Sequence, residues 1–151
     1  MPKQAVADFT LPATGGIDFK LYPIRSKSLV IYFYPKDNTP GCTTEAQQFR
    51  DLYAEFNKAG SEIVGISRDS IKSHENFKTK FTLPFALLAD EDEKVCELFG
   101  VMKQKMMYGK QVRGVERSTF VLDQKGSICK EWRGLKADGH AHEVLAFVQT
   151  L

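Results

Sequence analysis

The 151-residue chain is 42% apolar or aromatic and 26% charged, with 21 Lys and Arg against 19 Asp and Glu. This length and composition predict one globular domain over residues 1–151 that needs no disulfide support. The near-neutral charge gives no indication of a nucleic-acid partner, and no apolar run reaches the roughly 18 residues of a membrane span. The first residues lack the apolar core of a signal peptide, so we expect a cytoplasmic protein without membrane contact.

The hydrophobic pattern predicts buried strands that alternate with amphipathic helices. In chain order the predicted elements are a hairpin turning at Gly15-Gly16, strand 29–34, helix 40–58 ended by Gly60, strand 62–67, helix 71–80 capped by Asp69 or Ser70, strand 85–88, helix 94–99, strands 116–122 and 128–132, and a last helix from 138 or 139 that carries Leu151. The basic stretch 102–114 is predicted as a loop or an ordered excursion. This order predicts an α/β thioredoxin-like fold with an N-terminal β-hairpin addition and an antiparallel hairpin at one edge.

The segment 35–42, Pro-Lys-Asp-Asn-Thr-Pro-Gly-Cys, lies between a predicted buried strand and a predicted helix. Thr39 suits the N-cap position and Pro40 suits N1, which places Cys42 at N3. The Thr39 hydroxyl can then accept a bond from a first-turn N–H, and the Cys42 sulfur lies near unpaired donors at the positive end of a helix. Such surroundings stabilise a thiolate. Cys42 is therefore the predicted nucleophile, and the alternative is a cysteine that only packs.

Arg117 lies at the start of predicted strand 116–122, on the face shared by the odd-numbered positions. The apolar residues that follow predict burial on both faces, and a buried guanidinium needs an anion because it cannot lose its charge. Two compatible interpretations remain open. One is an ion pair with Glu45 or Asp37, and the other is a contact with the Cys42 thiolate.

Together these residues resemble the active-site pattern of the peroxiredoxins. The pattern is Pro35-x-x-x-Thr39-x-x-Cys42, with Glu45 three residues on and Arg117 in Arg-Ser-Thr-Phe-Val-Leu-Asp. Three segments, Asn-Thr-Pro-Gly-Cys-Thr at 38–43, Asp-Phe-Thr-Leu-Pro at 8–12 and Leu-Ala-Asp-Glu at 88–91, resemble the bacterioferritin comigratory protein (PrxQ) branch. The resemblance extends over essentially the whole chain.

The resemblance implies a thiol-dependent antioxidant peroxidase that reduces hydrogen peroxide and organic hydroperoxides through a cysteine sulfenic acid. In the implied site Cys42 is the peroxidatic cysteine, Thr39 holds the peroxide oxygens, Pro35 shields the sulfur, Arg117 stabilises the thiolate and the transition state, and Glu45 orients Arg117. The implied partners are a peroxide and a reductant, which is thioredoxin, glutaredoxin or a low-molecular-weight thiol. No cofactor or metal is expected.

The chemistry indicates that donors to the peroxide matter more than thiol acidity. Lowering a thiol pKa from about 8.5 to about 6 raises the thiolate fraction roughly 30-fold at neutral pH. The thiolate is then a weaker nucleophile, which cancels roughly 10-fold of that gain. A fast peroxidase must therefore stabilise the O–O bond as it stretches. The predicted donors are the Thr39 hydroxyl, Arg117 and the N–H of Gly41 or Cys42.

Resolution of the sulfenic acid leaves alternatives open. Gln47 occupies the position, five residues after Cys42, where many PrxQ-like proteins carry a resolving cysteine, and the C-terminal resolving motif of the dimeric peroxiredoxins is absent. Cys96 and Cys129 are predicted to pack in a helix and a strand. A one-cysteine mechanism with an external thiol, in a monomer, is therefore the prediction. The alternatives are a two-cysteine peroxidase with Cys96 as resolver, and a thioredoxin-fold redox sensor or chaperone without steady turnover.

The histidines and the basic stretch are not expected to form sites. His140 and His142 are two residues apart at a helix start, so they face different directions, and a solvated capping role is predicted. His74 is expected on the apolar side of helix 71–80. The basic residues of 102–114 are interrupted by glycines and predicted to be solvated.

Overall fold

A seven-stranded sheet forms the centre of the protein, in a computed structural model that describes residues 5–151 and, for positions 105 and 107, the backbone alone. Residues 1–4, which bear on the signal-peptide expectation, lie outside the described residues. The elements are β1 Thr10–Ala13, β2 Ile17–Lys20, β3 Ser28–Phe33, α1 Pro40–Lys58, β4 Ser61–Ser67, α2 Ile71–Phe81, β5 Ala86–Ala89, α3 Lys94–Leu98, β6 Met102–Met107, β7 Lys110–Val115, β8 Ser118–Asp123, β9 Ile128–Arg133 and α4 His140–Val148.

The strand order of the central sheet is β2-β1-β5-β4-β3-β8-β9. The strands β3, β4 and β5 are parallel because α1 and α2 return the chain to the same end of the sheet. An antiparallel pair, β8 and β9, extends one edge. At the other edge the N-terminal hairpin β1–β2 joins β5 where Ala13 pairs with Leu88. The predicted α/β thioredoxin-like fold with an N-terminal hairpin is confirmed.

Different helices bury the two faces of the sheet. Val30 and Tyr32 of β3 belong to a core shared with α1, α2 and α4, hereafter the α1 face. Ile31 and Phe33, which point the opposite way, belong to a core shared with α3, hereafter the α3 face. All six β3 residues are buried, which explains why this strand shows no polar alternation. In β8, the odd-numbered Val121 lies on the α1 face, as the alternation predicts.

The helix ends follow the predicted capping residues, and only the C-terminal end of α4 differs from its prediction. Gly60 has the positive φ of +80° expected of a residue that ends α1. Ser70, not Asp69, caps α2 by accepting from Ser73 N at 3.2 Å. Leu151 lies beyond the last residue of α4 and is exposed, so its placement on that helix was wrong. Among residues 5–151, the helices are all too short or too polar to cross a membrane.

The stretch 102–114 forms the separate hairpin β6–β7, so of the two predicted alternatives it is an ordered excursion and not a loop, although its strands were not predicted. The turn is Tyr108-Gly109, and both residues have positive φ, 53° and 77°, as tight hairpin turns require. The described side chains of these strands are mostly exposed. Because the strands bury little on either face, the sequence lacks the apolar alternation that identifies a strand.

Candidate active site

A six-residue loop, residues 34–39, connects β3 to α1 at the carboxyl end of the parallel strands. Thr39 is the N-cap of α1 with extended backbone angles, and Pro40 is N1, as predicted. Cys42 is consequently the third helical residue and is only 1% exposed. Pro35 is the second residue of the loop and is half-buried. The thiol therefore lies in the first turn of a helix, on the α1 face of the sheet.

The Thr39 hydroxyl makes a different hydrogen bond from the predicted one. It donates to the carbonyl oxygen of Lys36 at 2.8 Å and makes no side-chain cap to α1. A hydroxyl has one hydrogen and two lone pairs, so with the hydrogen taken by Lys36, Oγ1 can only accept from a further partner. In this arrangement Oγ1 offers lone pairs, and no hydrogen, to a further partner.

Arg117 bridges a carboxylate and the thiol. Its Nη1 donates to Glu45 Oε1 at 2.8 Å, and its Nη2 lies 3.4 Å from Cys42 Sγ. Of the two carboxylates considered for the ion pair, Glu45 is the partner, while Asp37 is bonded to other groups. The guanidinium passes directly over Gly41, where an added Cβ would lie 3.1 Å from Nη2. Glycine at this position therefore leaves room for the cation beside the first turn.

Burial and charge oppose each other in this ion pair. Burial raises the pKa of Glu45 to about 7, although the neighbouring Arg117 lowers it. The second oxygen, Oε2, has no hydrogen-bond partner among the described residues. For Arg117, burial disfavours the charge, but Glu45 and Cys42 outweigh it and raise the pKa. One permanently charged guanidinium is thus shared between two groups that can each carry a negative charge.

A buried hydrogen-bond cluster beneath the loop was missed by sequence reasoning. The Asp37 carboxylate accepts from Tyr34 OH at 2.6 Å and from Ser73 Oγ at 2.8 Å, and its Oδ2 lies 2.7 Å from His74 Nδ1. The other ring nitrogen of His74 lies 2.9 Å from Leu88 O. The available signal was a histidine on the apolar side of a predicted helix, since such a residue must find buried polar partners.

The same cluster includes the group that comes nearest to a metal site in the described part of the chain. Asp37, Asp69 and His74 each offer one ligand atom, and these atoms lie within 4.8 Å of one another. However, Asp37 Oδ2 already accepts from Ser73, and Asp69 Oδ2 accepts from Ser67 and from the Asp37 backbone N–H. Hydrogen bonds within the protein account for this arrangement, so we assign no metal to it.

His140 differs from its predicted solvated, capping role. It is 3% exposed, and its Nε2 lies 2.8 Å from Thr119 Oγ1. Its ring packs edge-on against Phe49 and Trp132. As the first residue of α4, it points inward because α4 begins against α1 and β8. Burial lowers its pKa, although Glu143 opposes the shift.

The other two cysteines lie away from Cys42. Cys96 is fully buried on the α3 face, and burial, with the neighbouring Asp90, raises its pKa well above the usual range. Cys129 is half-buried near the start of β9, whose other end pairs at Arg133 with Ser118. Cys129 lies four residue positions before Arg133, which corresponds to about 13 Å along the strand. The geometry thus brings Cys42, Glu45 and Arg117 together and leaves both other thiols apart.

Comparison with known proteins relates the chain to one family. The model of the AhpC/TSA family matches residues 2–130. Peroxiredoxin Bcp of Xanthomonas campestris is 52% identical over 94% of this chain and 89% of its own, and peroxiredoxin Bcp of Bacillus subtilis is 46% identical over 94% and 90%. A solved structure of the Xanthomonas campestris bacterioferritin comigratory protein, from a study of its alkyl peroxide reduction activity, has a TM-score of 0.90 and 50% identity over 94% of this chain and 90% of that one.

Proposed function

Since the chain belongs to the AhpC/TSA family, in the Bcp or PrxQ branch of the peroxiredoxins, we propose that Cys42 reduces peroxides and that an external thiol then regenerates it. Family membership makes the protein a thiol-dependent peroxidase. The observation that supports Cys42 as the reacting thiol is the Arg117 guanidinium, which lies 3.4 Å from its sulfur and is held by buried Glu45.

In the first step the Cys42 thiolate attacks the hydroxyl oxygen of the peroxide. A sulfur–oxygen bond forms as the O–O bond breaks, and the second oxygen leaves as hydroxide or alkoxide and takes up a proton. The sulfur loses two electrons and the peroxide gains them, so the products are a sulfenic acid and water or an alcohol. Arg117 donates to the developing negative charge. Thr39 accepts from the peroxide hydroxyl, because its own hydrogen is bonded to Lys36.

In the second step an external thiol condenses with the sulfenic acid. Water leaves and a mixed disulfide forms, and a second thiol then displaces the Cys42 thiolate and departs as a disulfide. Because Cys42 is only 1% exposed, the first turn of α1 must open locally before such a thiol reaches its sulfur. Thioredoxin, glutaredoxin and low-molecular-weight thiols are the reductant classes that this chemistry admits.

The positions of the remaining cysteines support the external resolver. Cys42 and Cys96 lie on opposite faces of the central sheet, so a bond between them would require α3 or α1 to leave its face. Gln47, in the helix of Cys42, supplies no thiol. The alternative in which Cys96 resolves the sulfenic acid is therefore not favoured.

The site and the relative both support hydroperoxides as the substrate class. Hydrogen peroxide and alkyl hydroperoxides present the same O–O–H group to Arg117 and Thr39. The Xanthomonas campestris protein has alkyl peroxide reduction activity by the description of its structure, which supports organic hydroperoxides as substrates here.

The test is the intact mass of the protein after one equivalent of hydrogen peroxide under non-reducing conditions. We expect one added oxygen on the monomer, trapped by dimedone on Cys42, and over-oxidation when peroxide is in excess. Cys42→Ser should abolish the reaction. Cys96→Ser and Cys129→Ser are the matched controls and should leave the first oxidation within a few-fold of the parent rate.

Other outcomes would contradict particular parts of the proposal. Peroxide reduction by Cys42→Ser at the parent rate would remove Cys42 from the mechanism. A loss of two hydrogens, with a tryptic peptide pair joining Cys42 to Cys96 or Cys129, would make that residue the resolver. A single oxidation that stalls with a thioredoxin system and NADPH would favour the redox-sensor alternative.

A further inference from the structure

The peptide unit that joins Lys36 to Asp37 is held by hydrogen bonds at both ends. Its N–H donates to Asp69 Oδ2 at 2.9 Å, and its carbonyl oxygen accepts from Thr39 Oγ1 at 2.8 Å. Because the atoms of a peptide unit lie in one plane, the direction of the N–H also sets the direction of the C=O. The Asp69 carboxylate is thus coupled through this plane to the hydroxyl of Thr39.

We propose that Asp69 is a positioning residue for peroxide reduction. It fixes the peptide plane so that the Lys36 carbonyl takes the Thr39 hydrogen, and the lone pairs of Oγ1 are then turned toward the peroxide hydroxyl. The inference rests on the proposed function and deepens it, because it assigns a role to a residue that acts on the peroxide only through Thr39.

Asp69 is itself held by the central sheet. Ser67, the last residue of β4, is fully buried and pairs with Ala89 of the neighbouring strand. Its Oγ donates to Asp69 Oδ2 at 2.5 Å and accepts from the Asp69 backbone N–H at 3.1 Å. These two bonds orient the carboxylate relative to a rigid strand, which is the support that a precise site needs.

The more ordinary role for Asp69 is taken by its neighbour. An aspartate just before a helix commonly caps it, but Ser70 caps α2. The Asp37 side chain binds the loop to α2 independently, through Ser73 and His74. Loss of the Asp69 carboxylate should therefore leave the loop attached and free only the one peptide plane that controls Thr39.

The test is a double-mutant cycle of Asp69→Ala and Thr39→Val, measured as the single-turnover rate of Cys42 oxidation by hydrogen peroxide. Asp69→Ala alone should slow this reaction on the order of 10-fold, as expected for a displaced positioning group. In the Thr39→Val background the same change should have no further effect, because the group it positions is gone. Alkylation of Cys42 by iodoacetamide, which involves no O–O bond, should keep its rate.

Two further variants separate positioning from stability. Asp69→Asn keeps an acceptor oxygen for the Asp37 N–H and should stay within a few-fold of the parent rate. Ser70→Ala removes the cap of α2 next to Asp69, so it should lower the thermal midpoint without slowing Cys42 oxidation.

The inference fails if Asp69→Ala slows the Thr39→Val variant by the same factor as the parent, since the two residues would then act independently. It also fails if alkylation slows as much as peroxide reduction, which would indicate a displaced Cys42. Absence of peroxide reduction by the unaltered chain would overturn the proposed function itself, and the inference with it.

Discussion

The two fully enclosed cysteines, Cys42 and Cys96, occupy the same position in two different helices. Each is the third residue of its helix, Cys42 in α1 and Cys96 in α3, and they are 1% and 0% exposed. By the helix-terminus argument alone, both thiols would be stabilised as thiolates. The charged groups around the two thiols, however, differ in sign.

At α3 an anion already occupies the helix terminus. The Asp90 carboxylate accepts from the backbone N–H of Val95 at 3.2 Å and of Cys96 at 2.7 Å. Burial and this carboxylate together raise the pKa of Cys96 well above the usual range. At α1 the N-cap hydroxyl of Thr39 points away from the helix, and Arg117 reaches the sulfur. In α1 the charged group nearest the sulfur is thus a cation, whereas in α3 it is an anion.

The largest effect should come from removing that positive charge. Arg117→Gln leaves the Cys42 sulfur without its cation, and we expect peroxide reduction to slow on the order of 10²–10³-fold, as for loss of one oxyanion-hole donor. Iodoacetamide alkylation should slow far less. Stopped-flow measurement of Cys42 oxidation gives the first rate, and mass spectrometry of the alkylated protein gives the second.

Matched variants test whether the Arg117 effect is specific. Arg113→Gln removes a guanidinium from an exposed ion-pair group and should leave the rate unchanged. Arg117→Gln also leaves the buried Glu45 carboxylate without its ion-pair partner, which destabilises the fold. The double variant Arg117→Gln/Glu45→Gln removes both charges, so it shows the kinetic loss without this destabilisation. A parent rate in this double variant would mean that Cys42 does not depend on the guanidinium.

An intermediate effect is expected from Glu45, and it should depend on pH. Burial, opposed by Arg117, raises its pKa from 4.5 to about 7. As pH falls through about 7, Glu45 becomes neutral and holds Arg117 less firmly, so peroxide reduction should slow several-fold in the parent. Glu45→Gln cannot ionise and should lack this step. Rate profiles from pH 5 to 9 that keep the same inflection near 7 in both proteins would contradict the assignment.

The same shift has a consequence for stability. The pKa of Glu45 is higher in the folded state than in the unfolded state, so the protonated side chain stabilises the fold. This contribution is fully present below about pH 4.5 and is lost as the pH rises through about 7. Glu45→Gln should escape this loss. The thermal midpoint of Glu45→Gln minus that of the parent should therefore be larger at pH 8 than at pH 5.

The smallest effect should come from Gly41→Ala. The added Cβ would lie 3.1 Å from Arg117 Nη2, so the guanidinium must move by a few tenths of an ångström from the Cys42 sulfur. We expect a loss of about two-fold in peroxide reduction, since the misplacement of the guanidinium is small. Alanine is also the better helix former, so thermal stability should hold or rise while the rate falls. An unchanged rate would show that the position of Arg117 over Gly41 is unimportant.

Much of the fold was predictable because its signals are local. The apolar run of β3, the N-cap and N1 residues of α1 and the glycine after α1 each follow from backbone preferences within a few residues. The hairpin β6–β7 was missed for the same reason, since strands that bury only a few side chains leave no apolar pattern. Its turn, Tyr108-Gly109, was the only local signal available.

By itself the sequence determined that Cys42 lies in a helix's first turn, and it predicted that Arg117 shares a strand face with Thr119 and Val121, because helix caps and strand alternation are short-range properties. Only the tertiary structure decided which carboxylate pairs with Arg117, which group takes the Thr39 hydrogen, and that Asp69 reaches the loop. These hydrogen bonds, apart from that of Thr39, join elements distant in the chain. The packing of the helices on the sheet selects the partners of Arg117 and Asp69, and no local preference of these residues encodes that packing.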